Sequence, residues 1–169
     1  RRCAGVRTET AGEGFCAMPV LPVAARAGLH FWEEPCVSGV RGSGAVFFSG
    51  CVLGCVFCQN GRISRERWGR PITVARLREI FEELIAQGAH NINLVSPTPF
   101  VPAIREALQP PLPVPVVWNT GGYERVETLR SLEGLVQVWL PDLKYVDAAL
   151  ARRYSGAADY FAFASAAIV

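Results

Sequence analysis

From residue 45 onward, short apolar runs alternate with segments of helical periodicity. Ala45-Val-Phe-Phe-Ser49, Asn91–Val95, Val114–Trp118 and Leu135–Leu140 are near-continuous apolar stretches, the pattern of strands buried on both faces. Behind Thr73, a candidate N-cap, Val74, Leu77, Ile80, Phe81, Leu84 and Ile85 recur at helical spacing, and Gly88 suits the position just past the helix end. Pro102–Leu108, Glu124–Leu132 and Asp147–Tyr154 read as further helices. Strands and amphipathic helices in this alternation form an α/β fold, a parallel sheet joined by right-handed crossovers.

Such sheets place their sites at the C-terminal strand ends. The polar strings fall there: a cysteine loop after the first strand, Ser96-Pro97-Thr98 after the second, Asn119-Thr120-Gly121-Gly122 after the third, and Asp142-Leu143-Lys144 after the fourth. Composition narrows the function classes. Apolar residues make up 50% and charged residues 19%, which excludes a disordered chain. The net charge of +2 is too small to indicate nucleic acid or an anionic membrane as partner. No uninterrupted apolar run reaches the ~18 residues of a membrane span.

Residues 1–44 read as a loop-rich, cysteine-containing arm with no sustained period, and residues 45–169 as the core. Residue 1 is Arg, and the chain stops inside the apolar segment Tyr160–Val169. A piece of a longer protein is therefore expected, incomplete at its C-terminal end. No signal peptide is read at this start, and a cytoplasmic protein is expected.

Cys51-x3-Cys55-x2-Cys58 places three thiols within eight residues, enough to wrap one metal centre. Three readings compete. Disulfide pairing leaves one thiol odd and suits a secreted mini-domain. A structural zinc needs a fourth ligand, and the two histidines, His30 and His90, are remote in sequence. An iron–sulfur cubane held by three cysteines is favoured; it keeps one iron open to bind something.

The pattern Cys-x3-Cys-x-aromatic-Cys, with Phe57 at the aromatic position, resembles the radical S-adenosylmethionine superfamily. Phe47-Phe-Ser-Gly-Cys51 and Cys58-Gln-Asn60 resemble the glycyl-radical activating enzymes, such as pyruvate formate-lyase-activating enzyme. His30-Phe-Trp-Glu-Glu-Pro-Cys-Val-Ser-Gly39, Asn93-Leu-Val-Ser-Pro-Thr98 and Val117-Trp-Asn-Thr-Gly-Gly-Tyr123 are similar to a little-characterised branch of that group, and the likeness runs over essentially the whole chain.

The resemblance implies a partial (β/α) barrel of parallel strands with helices outside, cut off after about four β/α units. It implies a 4Fe-4S cluster on Cys51, Cys55 and Cys58, with S-adenosylmethionine chelated at the open iron. Reductive cleavage of S-adenosylmethionine then gives methionine and a 5′-deoxyadenosyl radical. The radical acts on a partner enzyme or, alternatively, on a small molecule. A non-catalytic iron–sulfur or zinc protein that keeps the fold is the reading from another class. An electron donor such as flavodoxin or ferredoxin is implied.

By the same resemblance Phe57 lies beside the adenine, the alternative being a plain core aromatic. Activases carry Gly-Gly-Glu after the second strand to meet the methionyl amine; Ser96-Pro97-Thr98 lacks the carboxylate. The hydroxyls of Ser96 and Thr98 could accept instead, or serve as ordinary strand-end turn residues. Asn119 and Thr120 stand where activases read Asp-Thr. Lys144 matches a contact to the S-adenosylmethionine carboxylate and Asp142 its orienting partner; plain solvated charges are the alternative. Cys3, Cys16 and Cys36 read equally as ligands of a second metal centre or as unpaired structural thiols.

Overall fold

The computed structural model describes residues 5–169. Its single sheet has six strands in the order β3-β1-β2-β4-β5-β6. The chain runs through β1 (Val23–His30), α1 (Pro35–Ser38), β2 (Ser43–Phe48), α2 (Gly61–Ser64), β3 (Arg70–Pro71) and α3 (Val74–Ala86). It continues through β4 (Ile92–Val95), a 3-10 turn (Thr98–Phe100), α4 (Val101–Ala107), β5 (Val116–Thr120), α5 (Val126–Arg130), β6 (Val138–Pro141), α6 (Ala148–Ser155) and α7 (Tyr160–Ile168). Strands β2, β4, β5 and β6 are parallel, with helices in the crossovers. They form the expected partial β/α barrel of four units.

The two faces of these strands do different work. Val46, Phe48, Ile92, Leu94, Val116 and Trp118 pack against Leu77, Phe81 and Leu84 of α3 and Ile104 of α4. Each fully buried aliphatic side chain here contributes roughly 1.5–3 kcal/mol. Thr73 caps α3 as its position suggests, its hydroxyl accepting from Arg76 N–H at 3.1 Å. The opposite face carries Phe47, Val95 and Asn119 in one register row, with Asn93 one pleat lower.

The arm departs from the loop-rich reading. Residues 23–30 form a strand that pairs antiparallel with β2 along its length. Val-Ala-Ala-Arg-Ala-Gly-Leu-His carries little β-branched content, so its strand state comes from tertiary pairing rather than propensity. The predicted third and fourth strands begin later than read, at Val116 and Val138. Val136 turns into the core instead of extending the last strand. The predicted helix from Glu124 shortens to α5, which starts after Arg125, an extended N-cap residue. The apolar end becomes α7, with Tyr160 and Ala164 buried.

Candidate metal centre

The cysteine loop leaves the C-terminal end of β2 and is held by elements distant in sequence. Val56 N–H donates to Tyr154 O at 2.9 Å and Gly54 N–H to Ser155 O at 3.4 Å, so the loop docks on the last turn of α6. Leu53 and Cys55 pack with Tyr123, Ala151 and Tyr160. From the other side, the arm presses on Gly50: a Cβ there would come within 2.3 Å of Met18 Cγ.

Cys51, Cys55 and Cys58 line one cavity of about 440 Å³. The same cavity is lined by Phe57, Ser96, Asn119, Thr120, Asp142 and Lys144. Four strand-end loops therefore converge on one space, as expected for the C-terminal rim of a parallel sheet. Phe57 is 58% exposed, so it is not a core aromatic, and its ring stands edge-on to Tyr145 at 6.2 Å. Ser96 closes β4 at φ 56°, a left-handed conformation, and its N–H donates to Asn119 O. Thr98 lies elsewhere. Its hydroxyl donates to Glu124 at 2.7 Å, and it borders a second cavity that holds none of the three loop cysteines.

Lys144 and Asp142 form an ion pair, Nζ donating to Oδ2 at 2.5 Å. Burial works to lower the Lys144 ammonium, but the hydrogen bond and charge of Asp142 outweigh it, and the net shift is upward. Lys144 is therefore a cation facing the cavity. Its backbone is fixed by Tyr160, whose hydroxyl accepts from Lys144 N–H at 2.9 Å. The single proton of the same hydroxyl is shared between Asp142 O and Gly121 O at 2.7 and 2.8 Å, tying the loop after β5 to the loop after β6. Gly122 allows that contact. It sits at φ 73°, and a Cβ would come within 2.5 Å of Asp142 O.

The cavity also has a carboxylate that was not among the sequence-predicted site residues. Glu33 reaches in from the arm, where its Oε2 accepts from Asn93 Nδ2 at 3.0 Å and Asn119 Nδ2 at 3.3 Å. Asn93 Oδ1 is a buried acceptor without a hydrogen-bond partner among the described residues. No sequence signal beyond the run His30–Gly39 points to Glu33, because it acts across the sheet from a segment outside the β/α repeat.

The structure is a partial parallel β/α barrel with a three-thiol loop on its C-terminal rim. The family model of the Radical SAM superfamily matches residues 45–153. The chain belongs to this superfamily, which implies a 4Fe-4S cluster and S-adenosylmethionine. It is also 34% identical over 142 residues to an uncharacterized protein of Methanocaldococcus jannaschii, a match covering 79% of this chain and 41% of that protein. The chain thus spans less than half the length of the curated relative it matches.

The donor set fits the implied cluster. Each loop sulfur accepts a hydrogen bond: Cys51 from Leu53 N–H at 3.4 Å, Cys55 from the Ser155 hydroxyl at 2.9 Å, and Cys58 from the Ser64 hydroxyl at 3.3 Å. Donors aimed at sulfur are what a thiolate ligand needs. Burial pushes the Cys51 thiol up to about 11, with Cys55 and Cys58 acting the same way and Leu53 N–H and Lys144 opposing. A cluster's positive irons would displace that proton. The histidines a zinc site would need lie elsewhere: His30 pairs with Ser43 at the start of β2, and His90 accepts from Arg41 N–H. Among the described residues no three His, Cys, Asp or Glu side chains are arranged to hold a single metal ion. Cys16 is buried beside Arg7, and Cys36 is exposed on α1; neither lines the cavity of the three loop cysteines. Cys3 lies outside the described residues.

Proposed function

We propose that this chain holds a 4Fe-4S cluster on Cys51, Cys55 and Cys58 and cleaves S-adenosylmethionine to activate a partner protein, as glycyl-radical activating enzymes do. The observation that carries the reading is the meeting of three thiols, the Lys144 ammonium and the Glu33 carboxylate around one cavity. With both groups bound, the chemistry supplied is one-electron cleavage of the sulfonium C–S bond, giving methionine and a 5′-deoxyadenosyl radical that takes a hydrogen atom from the substrate.

The chain's own residues bind and orient. Lys144 has three N–H donors, of which Asp142 occupies one; the others would take the methionyl carboxylate. Asp142 would keep Lys144 turned toward the cavity. Glu33, steadied by two asparagine amides, would take the methionyl ammonium in place of the acid that Ser96-Pro97-Thr98 lacks. Asn93 Oδ1 supplies a buried acceptor beside it. Asn119, Thr120 and Ser96 would hydrogen-bond the sugar and methionyl groups. Phe57, at the mouth, offers a ring face to the adenine.

The segments Cys58-Gln59-Asn60 and Asp142-Leu143-Lys144 support the activating-enzyme branch. A flavodoxin- or ferredoxin-class donor would supply the electron, in a cytoplasmic, reducing setting. The test is product release: with a strong reductant and S-adenosylmethionine, the cluster-loaded chain should form 5′-deoxyadenosine and methionine. A loaded chain that forms neither refutes the reading and favours a non-catalytic iron–sulfur protein.

A further inference from the structure

Ser155 is the last residue of α6, where a serine hydroxyl ordinarily bonds back to the carbonyl four residues earlier. Here it donates to Cys55 Sγ at 2.9 Å, one hundred positions away in sequence. Both residues are buried, Ser155 at 1% and Cys55 at 7% exposure. Tyr145 places its phenol 2.8 Å from the same serine oxygen. Its ring is wedged edge-on between Phe57 at 6.2 Å and Tyr160 at 5.5 Å, so the phenol is held in place.

The direction of the chain of hydrogen bonds follows from proton counting. A metal-bound thiolate has no proton and only accepts. The Ser155 hydroxyl gives its proton to Cys55, which leaves the Tyr145 phenol to donate to Ser155 or directly to the same sulfur. Two aligned hydroxyls polarise one another, so the donor that reaches the sulfur is stronger than a lone serine. The other two loop sulfurs have simpler donors, a backbone N–H at Cys51 and the Ser64 hydroxyl at Cys58.

We propose that Tyr145 and Ser155 form a two-hydroxyl relay onto Cys55 that raises the reduction potential of the cluster. This rests on the reading of the three cysteines as cluster ligands. Adding an electron increases the negative charge on the ligand sulfurs, so a donor aimed at sulfur stabilises the reduced state more than the oxidised one. The relay acts through Cys55 and touches no substrate; Ser155 and Tyr145 are positioning residues. It also couples the potential to the packing of α6 and the loop after β6, because both hydroxyls sit on that fourth β/α unit.

The experiment is a redox titration of the anaerobically reconstituted full chain, followed by electron paramagnetic resonance, with iron content measured on each sample. Ser155→Ala should shift the potential to a more negative value. Tyr145→Phe keeps the serine donor and should give a smaller shift of the same sign. Ser165→Ala removes a hydroxyl that bonds Phe161 O on α7 and should leave the potential unchanged. Equal potentials in the parent, Ser155→Ala and Tyr145→Phe, at equal iron content, overturn the relay. If Ser155→Ala loads no iron, Tyr145→Phe decides alone: a negative shift supports the relay and an unchanged potential overturns it. A parent chain that takes up no cluster overturns instead the ligand reading beneath it.

Discussion

Replacing Tyr160 by Phe removes one oxygen from the junction between the loops after β5 and β6. The ring remains, with its neighbours Tyr123 at 5.9 Å and Tyr145 at 5.5 Å, so packing changes little. The hydroxyl is the acceptor for Lys144 N–H and the donor shared by Gly121 O and Asp142 O. Tyr160 is fully buried, while Gly121 and Lys144 are half-buried and Asp142 is exposed, so the groups left behind are partly within reach of water. Losing the bond to Lys144 N–H costs about 0.5–1.5 kcal/mol, and losing the donor to the two carbonyls about as much again. For a chain of this size each kcal/mol moves the melting temperature by about 2–4 °C. Tyr160→Phe should therefore melt roughly 2–12 °C below the parent, followed by far-ultraviolet circular dichroism. It should also weaken S-adenosylmethionine binding, since Lys144 loses its backbone anchor, while iron uptake is unchanged. A variant that melts within about 1 °C of the parent refutes the claim that this hydroxyl joins the two loops.

Two other perturbations test separate parts of the account. Lys144→Ala should keep its iron yet bind S-adenosylmethionine about 10- to 150-fold more weakly, the loss of one charge-assisted hydrogen bond of about 1.5–3 kcal/mol. Titration of the cofactor against the cluster's absorption spectrum checks it, and unchanged affinity would make the ion pair with Asp142 structural. Burial holds the Glu124 carboxyl above its ordinary value, against hydrogen bonds from Thr98 and Trp118. The folded state then keeps that proton to higher pH than the unfolded state. Its contribution to stability is complete below the unfolded value and is lost as pH rises through the raised folded one. Glu124→Gln should flatten this decline in thermal melts taken as pH rises from the ordinary carboxylate range, and parallel curves for parent and variant would exclude Glu124 as the group.

The legible parts of the molecule were those written in local periodicity and short spacing. The α3 stripe with its Thr73 cap and the cysteine loop could each be read within a few neighbouring residues, and the structure places all three cysteines on one cavity. Other features depend on contacts across the chain. β1 is a strand because β2 offers it an edge, not because Ala-Ala-Arg-Ala-Gly favours extension. Thr98 looked like a rim hydroxyl, but Glu124 takes its hydrogen bond from the start of the next unit. Glu33 and Ser155 reach the cavity region from the arm and from the end of α6. Apart from the run His30–Gly39 around Glu33, nothing in their immediate sequence distinguishes them from ordinary surface or helix-end residues.

The central claim is that three cysteines of one loop hold a cluster with an iron open to S-adenosylmethionine. Anaerobic reconstitution of the full chain, with iron counted and the cofactor titrated against the spectrum, tests it most directly. The account predicts about four irons per chain, a spectrum that changes on adding S-adenosylmethionine, and loss of both in the Cys51→Ala/Cys55→Ala/Cys58→Ala variant. A triple variant that holds iron as well as the parent would contradict it, as would a loaded parent whose spectrum ignores the cofactor.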